Sequence, residues 1–215
     1  CDKSNEIYNI ISKENEKIII GENKILNTLF VAFRGSSNLE NWIDDAQFSH
    51  ICLDDNICID KGFYKLYQKL NHTIIKKLNK HLNKNLLITG HSLGAALATL
   101  LTYELNKDYN ISLITFGSPR VGNKEFVKEM LKQNFLSNRI THYFDIVPHL
   151  PQEILNYKHL PGEIWYNELN SEFKICNDEI DEDNECSNKC STFFCTSTSD
   201  HLNYLNISMG KNGKC

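Results

Sequence analysis

No stretch of this 215-residue chain approaches the roughly 20 consecutive apolar residues that cross a bilayer as a helix. Basic charge is not in excess: 23 Lys and Arg stand against 27 Asp and Glu, a net charge of -4. A nucleic-acid binder shows a basic face, so no nucleic-acid partner is expected. There is no internal repeat. With 4 prolines and 10 glycines, no linker-like stretch divides the chain into two folding units. The chain begins at Cys1 with neither an initiator Met nor a leader-like segment, as a mature or trimmed product would. What remains is an ordinary globular composition, 41% hydrophobic and 23% charged. That suits one domain, residues 1–215, with a large core. The abundance of Asn, Lys and Ile reads as a compositional bias of the source.

Cysteine is well supplied. Cys1, Cys52, Cys58, Cys176, Cys186, Cys190, Cys195 and Cys215 are even in number and lie at the chain ends and in polar, loop-like stretches. That pattern favours disulfides and an oxidising compartment, hence a secreted or lumenal protein. Three acceptor triplets for N-glycosylation start at Asn71, Asn110 and Asn206. In an Asn-rich chain they add little. Cys186, Cys190, Cys195 and His201 have spacings that could surround zinc. That set leaves the other cysteines unexplained, and no metal is expected. The acidic run from Asn177 to Glu185 reads as a solvated loop between cysteines rather than a calcium site.

Short runs rich in Ile, Leu, Val and Phe predict strands at Lys17–Ile20, Leu29–Phe33, Leu86–Thr89, Ser112–Phe116 and Arg139–Phe144. Edge strands are expected within Leu160 to Tyr166 and Phe173 to Cys176. Between them, Phe63, Leu66, Tyr67, Leu70, Ile74 and Leu78 form one helical stripe within Phe63 to Leu82. Leu93 to Leu105 is apolar nearly all round and predicts a buried helix. Asn123 to Gln133 predicts a third helix, with Asn123 as its cap. Strand and helix alternate, which implies an α/β domain with a largely parallel central sheet.

Between the strands predicted at Leu86–Thr89 and Ser112–Phe116, Gly90-His91-Ser92-Leu93-Gly94 matches G-x-S-x-G, with a strand before it and a helix after. A nucleophilic Ser must stand proud of the sheet on a tight turn, and Gly90 and Gly94 leave room where helix and strand nearly touch. The Leu93 N–H, at the new helix's positive end, is a natural oxyanion donor. A bare pentapeptide of this kind also arises by chance, so its context carries the argument. Ser needs a base, and in such folds the order along the chain is Ser, acid, His. Asp145 follows a predicted strand, where open α/β sheets place their sites. Three histidines come later. His149 is too close to Asp145 to bridge back to Ser92, and His159 precedes a Pro-Gly turn. That favours His201, while the neighbouring Asp200 is poorly placed as its acid. A second oxyanion donor is expected after Leu29–Phe33, where Gly35 permits close approach and Ser36 offers its N–H and hydroxyl.

Together these segments resemble the class 3 lipases, the fungal-type triacylglycerol lipase family. The similar stretches are Phe33-Arg34-Gly35-Ser36, Glu40-Asn41-Trp42, Gly62-Phe63, Thr89 to Ala96, Thr115 to Asn123, Asp145-Ile146-Val147-Pro148, Pro161-Gly162-Glu163 and Asp200-His201. They span about residues 29 to 205, in the family's order. The resemblance implies an α/β-hydrolase fold, Ser92 as nucleophile, Asp145 as acid, His201 as base, and Ser36 with Leu93 as oxyanion hole. It implies no cofactor. It also implies a short helical lid at about residues 37–48, on which Leu39, Trp42 and Ile43 fall at helical spacing. Opening it would expose roughly 5–8 kcal/mol of apolar side chain, which a lipid surface absorbs and water does not. The expected partners are therefore a lipid ester substrate at an interface and a transient membrane or lipid-droplet surface, with the chain acting as a monomer. Cys52–Cys58 resembles the family's local disulfide after the lid. Cys1–Cys215 could tie the termini, Cys176–Cys186 and Cys190–Cys195 are one pairing among several open ones, and residues 176–215 form a disulfide-rich end. The chain before Phe33 is shorter than in typical fungal members, which implies a trimmed amino-terminal part of the sheet.

Within enzymes, a phospholipase A1 or a soluble aryl- or feruloyl-type esterase of the same fold competes with the triacylglycerol lipase. A serine peptidase and a non-catalytic lipid or glycan binder on this scaffold are the remaining alternatives.

Overall fold

The apolar runs of the sequence meet as neighbours in one sheet. The computed structural model describes residues 3–36, 41, 43, 48–79, 85–105, 108–177, 182–190 and 194–209. Strands β1 (Asn5–Lys13), β2 (Glu16–Asn23), β3 (Thr28–Phe33), β6 (Asn85–His91), β7 (Asn110–Phe116), β8 (Phe135–His142), β9 (Glu163–Tyr166) and β10 (Phe173–Ile175) form an 8-stranded sheet. Its order is β1-β2-β3-β6-β7-β8-β9-β10. From β3 to β9 the neighbours are parallel, while β1 and β2 on one edge and β10 on the other are antiparallel. This is the mostly parallel α/β sheet the alternation predicts, and the carboxyl ends of its parallel strands share one edge. A separate hairpin, β4 (His50–Cys52) with β5 (Cys58–Asp60), is closed by the Cys52–Cys58 disulfide.

Helix α1 (Lys61–Leu78) starts where the Asp60 carboxylate accepts from the Gly62 and Phe63 N–H groups. Its buried stripe is Phe63, Tyr67, Leu70, Ile74 and Leu78, at the spacing that keeps one face on the core. Helix α2 (Leu93–Leu105) is buried on nearly all sides and packs on β6, β3 and β7. Helix α3 (Lys124–Leu131) is capped by Asn123, whose side chain accepts from the Phe126 N–H. No helix among the described residues is long and apolar enough to cross a membrane.

Several expectations need correction. Strand β1 was not expected: its register shifts between Ile7 and Asn9, so Ile7, Tyr8, Ile10 and Ile11 do not alternate in the sequence, although Ile11 joins the core. The helix expected to reach Leu82 ends at Leu78, with Asn79 as its C-cap, and residues 80–84 lie outside the described part. The strand expected at Arg139–Phe144 runs from Phe135 to His142, because Tyr143 turns into the left-handed region at φ 36°. Of the lid residues, Leu39 and Trp42 lie outside the described residues, whereas Ile43 is helical and half-buried. Cys1 and Cys215 also lie outside them. Cys176–Cys186 and Cys190–Cys195 are paired. The supposed zinc set is not gathered, since its three cysteines are in disulfides and His201 faces Asp145. Within the acidic run, Glu182 is not solvated. It is buried against the Arg120 guanidinium, with oxygens 2.6 and 2.8 Å from its nitrogens.

Candidate active site

The turn after β6 is as tight as its glycines suggest. Ser92 has φ 58°, a conformation that costs a residue with a side chain about 1–2 kcal/mol. Its N–H donates to the Phe116 carbonyl on β7, and its carbonyl accepts from the Ala95 N–H as α2 begins. A methyl group on Gly90 would sit 2.3 Å from the Gly94 carbonyl oxygen. One on Gly94 would sit 2.5 Å from that of Phe33 and 2.7 Å from that of Arg34. The obstacles are backbone atoms, which cannot step aside. Gly35 closes the same contact from the β3 loop: its missing methyl would lie 2.8 Å from the His91 carbonyl and 3.1 Å from Ser92 Cβ. The residue before Ser36 is thereby pressed against the serine turn.

Asp145 and His201 meet at the same sheet edge. Beyond β8, Asp145 pairs in a single bridge with Ser197. Ser197 caps the short helix α4 (Thr198–His201) by accepting from the Asp200 N–H. His201 Nδ1 lies 2.8 and 3.0 Å from the two Asp145 oxygens. Asp145 also accepts from the Val147 N–H at 2.8 Å and from the Tyr204 hydroxyl. Burial alone would raise the Asp145 carboxyl. Electrostatic attraction to His201 and the bonds from His201, Tyr204 and Val147 outweigh it and hold the group below its ordinary value. Ser92 and Asp145 are each 2% exposed and His201 0%. Ser92 Oγ and His201 Nε2 are both buried without a hydrogen-bond partner. Since Asp145 engages Nδ1, the outer nitrogen of His201 is left to accept a proton.

The other histidines separate cleanly. His159 is a core residue bonded to the Pro148 carbonyl at 2.7 Å. Burial, then the Arg120 charge, pushes His149 down to about 4. Asp200 gives its carboxylate to the Phe144 N–H, while the His201 ring bonds to Asp145.

Four supporting residues were not singled out from sequence. Gly117, at φ 52°, packs so closely that a methyl there would lie 2.9 Å from Asp145 Oδ2 and from the His201 ring. His91 Nε2 lies 2.7 Å from the His201 carbonyl, and the two rings overlap at 4.3 Å. Burial, then electrostatic repulsion from the neighbouring His201, lowers His91 to about 3, so it stays neutral. Tyr204 and His142 wall the site from behind. Gly117 lies inside the matched Thr115 to Asn123 stretch and His91 inside the serine pentapeptide, so both were within reach of the sequence. Nothing local marks Tyr204 or His142.

The family profile described as Lipase (class 3) matches residues 30–155, more than half of the chain. A lipase from Rhizomucor miehei is 30% identical over 214 residues, covering 94% of this chain and 58% of the relative. A secreted mono- and diacylglycerol lipase A from Penicillium cyclopium is 37% identical over 155 residues, covering 67% of this chain and 50% of its own. The chain thus spans about half the length of these relatives. A solved structure described as "a serine protease triad forms the catalytic centre of a triacylglycerol lipase" superposes with a TM-score of 0.85 at 28% identity, covering 97% of this chain and 83% of that one. With that fold, an α/β-hydrolase, and with the profile match across the serine turn and Asp145, the chain belongs to the class 3 lipase family.

Proposed function

We propose that this chain is a secreted serine carboxylic-ester hydrolase that cleaves acyl esters of lipids, of the triacylglycerol lipase type. One observation carries the proposal. His201 is fixed through Nδ1 on Asp145, its Nε2 is buried and unpartnered, and so is Ser92 Oγ on the adjoining turn. That is a base and a nucleophile, each with its remaining valence unspent. Apo sites commonly hold this bond open and tighten it with substrate.

In the reaction, Ser92 Oγ attacks the ester carbonyl carbon and His201 Nε2 takes its proton. Asp145 keeps His201 in the required tautomer and stabilises its charged form. The Leu93 and Ser36 N–H groups receive the developing oxyanion. Losing one such donor costs about 3 kcal/mol, or 10²–10³-fold in rate. Collapse of the tetrahedral intermediate expels the alkoxide, which takes the proton from His201, and water then hydrolyses the acyl-enzyme by the same steps in reverse. The proposed lid at 37–48, of which Leu39 and Trp42 lie outside the described residues, would open on a lipid surface. The three disulfides among the described residues fit an oxidising compartment.

The test is hydrolysis of short and long acyl esters, as monomers and as emulsion, with phospholipid vesicles alongside. Preference for emulsified long chains, abolished by Ser92→Ala, is expected. Activity confined to soluble short esters would overturn the lid, and preference for vesicles would reassign the substrate to phospholipid. No ester hydrolysis by folded protein would overturn the proposal itself.

A further inference from the structure

His201 sits on a turn, and a turn needs something to hold it. Its two ends are residues 200 and 205, and both are tied to one pair of side chains. At the Asp200 end, His142 Nδ1 lies 2.9 Å from the Asp200 carbonyl oxygen. At the other end, the Leu205 N–H donates to Asn170 Oδ1 at 3.0 Å. The pair is closed by Asn170 Nδ2, 2.9 Å from His142 Nε2. Both side chains are buried, at 2% and 8% exposure, so these bonds do not compete with water. His142 ends β8, and Asn170 lies in the turn between β9 and β10. The His142 backbone carbonyl accepts from the Asp145 N–H at 2.9 Å, but neither side chain bonds to Asp145, Ser92 or the His201 ring.

The bonding directions are not interchangeable. Asn170 Oδ1 is committed to the Leu205 N–H, so its amide presents N–H to His142. His142 Nε2 must then accept, which places the ring proton on Nδ1, where it donates to the Asp200 carbonyl. The Glu168 carbonyl oxygen lies 3.2 Å from the same Nε2 and receives no proton in this tautomer. The backbone at Asn170 has φ 51°, which Asn and Gly accept most readily.

We infer that His142 and Asn170 are positioning residues that clamp both ends of the His201 turn and so set the aim of Nε2 toward Ser92. The inference rests on the proposed function. Its own content is that a hydrogen-bonded pair away from the reacting atoms governs the turnover step. A displaced base slows chemistry without weakening ester binding, by about 10- to 100-fold for a shift near 1 Å.

Asn170→Gly keeps the left-handed backbone and removes both bonds. His142→Leu removes the ring donor, and His142→Asn restores a donor near the Nδ1 position. Each protein is titrated with an organophosphonate, so that turnover is counted per reactive serine and unfolded molecules drop out. The expected result is kcat per titrated site down about 10-fold or more in Asn170→Gly and His142→Leu. KM should be unchanged, phosphonate labelling slowed in parallel, and most of the loss recovered in His142→Asn. The downfield NMR resonance of the His201 Nδ1 proton should shift or broaden in Asn170→Gly. That last readout needs no catalysis: if the wild type neither labels nor hydrolyses esters, the proposed function fails while the clamp is still judged by the proton resonance. If His142→Leu does not fold, Asn170→Gly decides. Unchanged turnover per site and an unchanged proton resonance in Asn170→Gly would overturn the clamp.

Discussion

The two halves of the candidate site are built by opposite means. The Ser92 turn is wedged by backbone: Gly35, Gly90 and Gly94 leave no room for a single methyl group against neighbouring carbonyls. The His201 turn is hung on side chains. His91, His142, Asn170, Asp145 and Tyr204 reach it or its flanks from β6, β8, the β9–β10 turn and β11 (Asn203–Tyr204). A wedge of backbone tolerates no substitution and needs no partner. A web of hydrogen bonds loses strength one strand at a time, each worth about 1–3 kcal/mol when a charged acceptor is involved.

The largest effect should come from the wedge. Gly90→Ala places a methyl 2.3 Å from the Gly94 carbonyl oxygen and 2.8 Å from the Ala95 nitrogen. We expect about 3 kcal/mol lower stability in urea unfolding and ester hydrolysis reduced at least about 100-fold. Wild-type behaviour would mean that the turn is not wedged. Gly117→Ala, where wedge and web touch, adds a strained backbone and presses on both Asp145 and His201. About 1–2 kcal/mol should be lost, with activity down about 10-fold or more, whereas a purely structural glycine would lose stability and keep its turnover.

Tyr204→Phe cuts one strand of the web. Stability should fall by about 1–2 kcal/mol and activity only a few-fold. The sign of its pH dependence follows from Asp145. A carboxyl held below 3.8 in the folded chain contributes stability that is present above that value and is lost as pH falls through the folded one. Removing the Tyr204 bond raises the folded value, so acid unfolding should begin at higher pH. A midpoint that moves down would contradict the assignment.

The smallest effect lies under the wedge. Burial raises the Glu16 carboxyl to about 7, against 4.5 when unfolded, partly offset by Arg34. The folded chain therefore holds that proton more tightly, and stability declines as pH rises from 4.5 toward 7. Glu16→Gln should gain about 1 kcal/mol at a pH near 8 and nothing near 4. Equal melting temperatures for the two proteins at both pH values would show that Glu16 is solvated.

This division also explains what the sequence disclosed. Backbone wedges are local, so Gly90-His91-Ser92-Leu93-Gly94 and Arg34-Gly35-Ser36 carry their geometry in a few adjacent letters. The parallel strands and the all-apolar α2 were legible for a related reason, since burial writes itself as continuous apolar runs. Asp145 followed from its place after a strand. His201 needed the family resemblance, because position only favoured it. The web left no local signature. His142 and Asn170 are separated by 28 positions and Tyr204 and Asp145 by 59, and each could have been a surface polar residue. Glu182 misled for the same reason: within an acidic run nothing distinguishes the one carboxylate that folds inward onto Arg120. Strand β1 stayed hidden because the register shift between Ile7 and Asn9 breaks the alternation of its apolar residues.

The most direct test of the account is where a phosphonate ester attaches, mapped by mass spectrometry on the folded chain and on His201→Ala. One adduct on Ser92, formed at least about 10³-fold more slowly without His201, is the predicted result. An adduct on another residue, or one on Ser92 whose rate ignores His201, would contradict it.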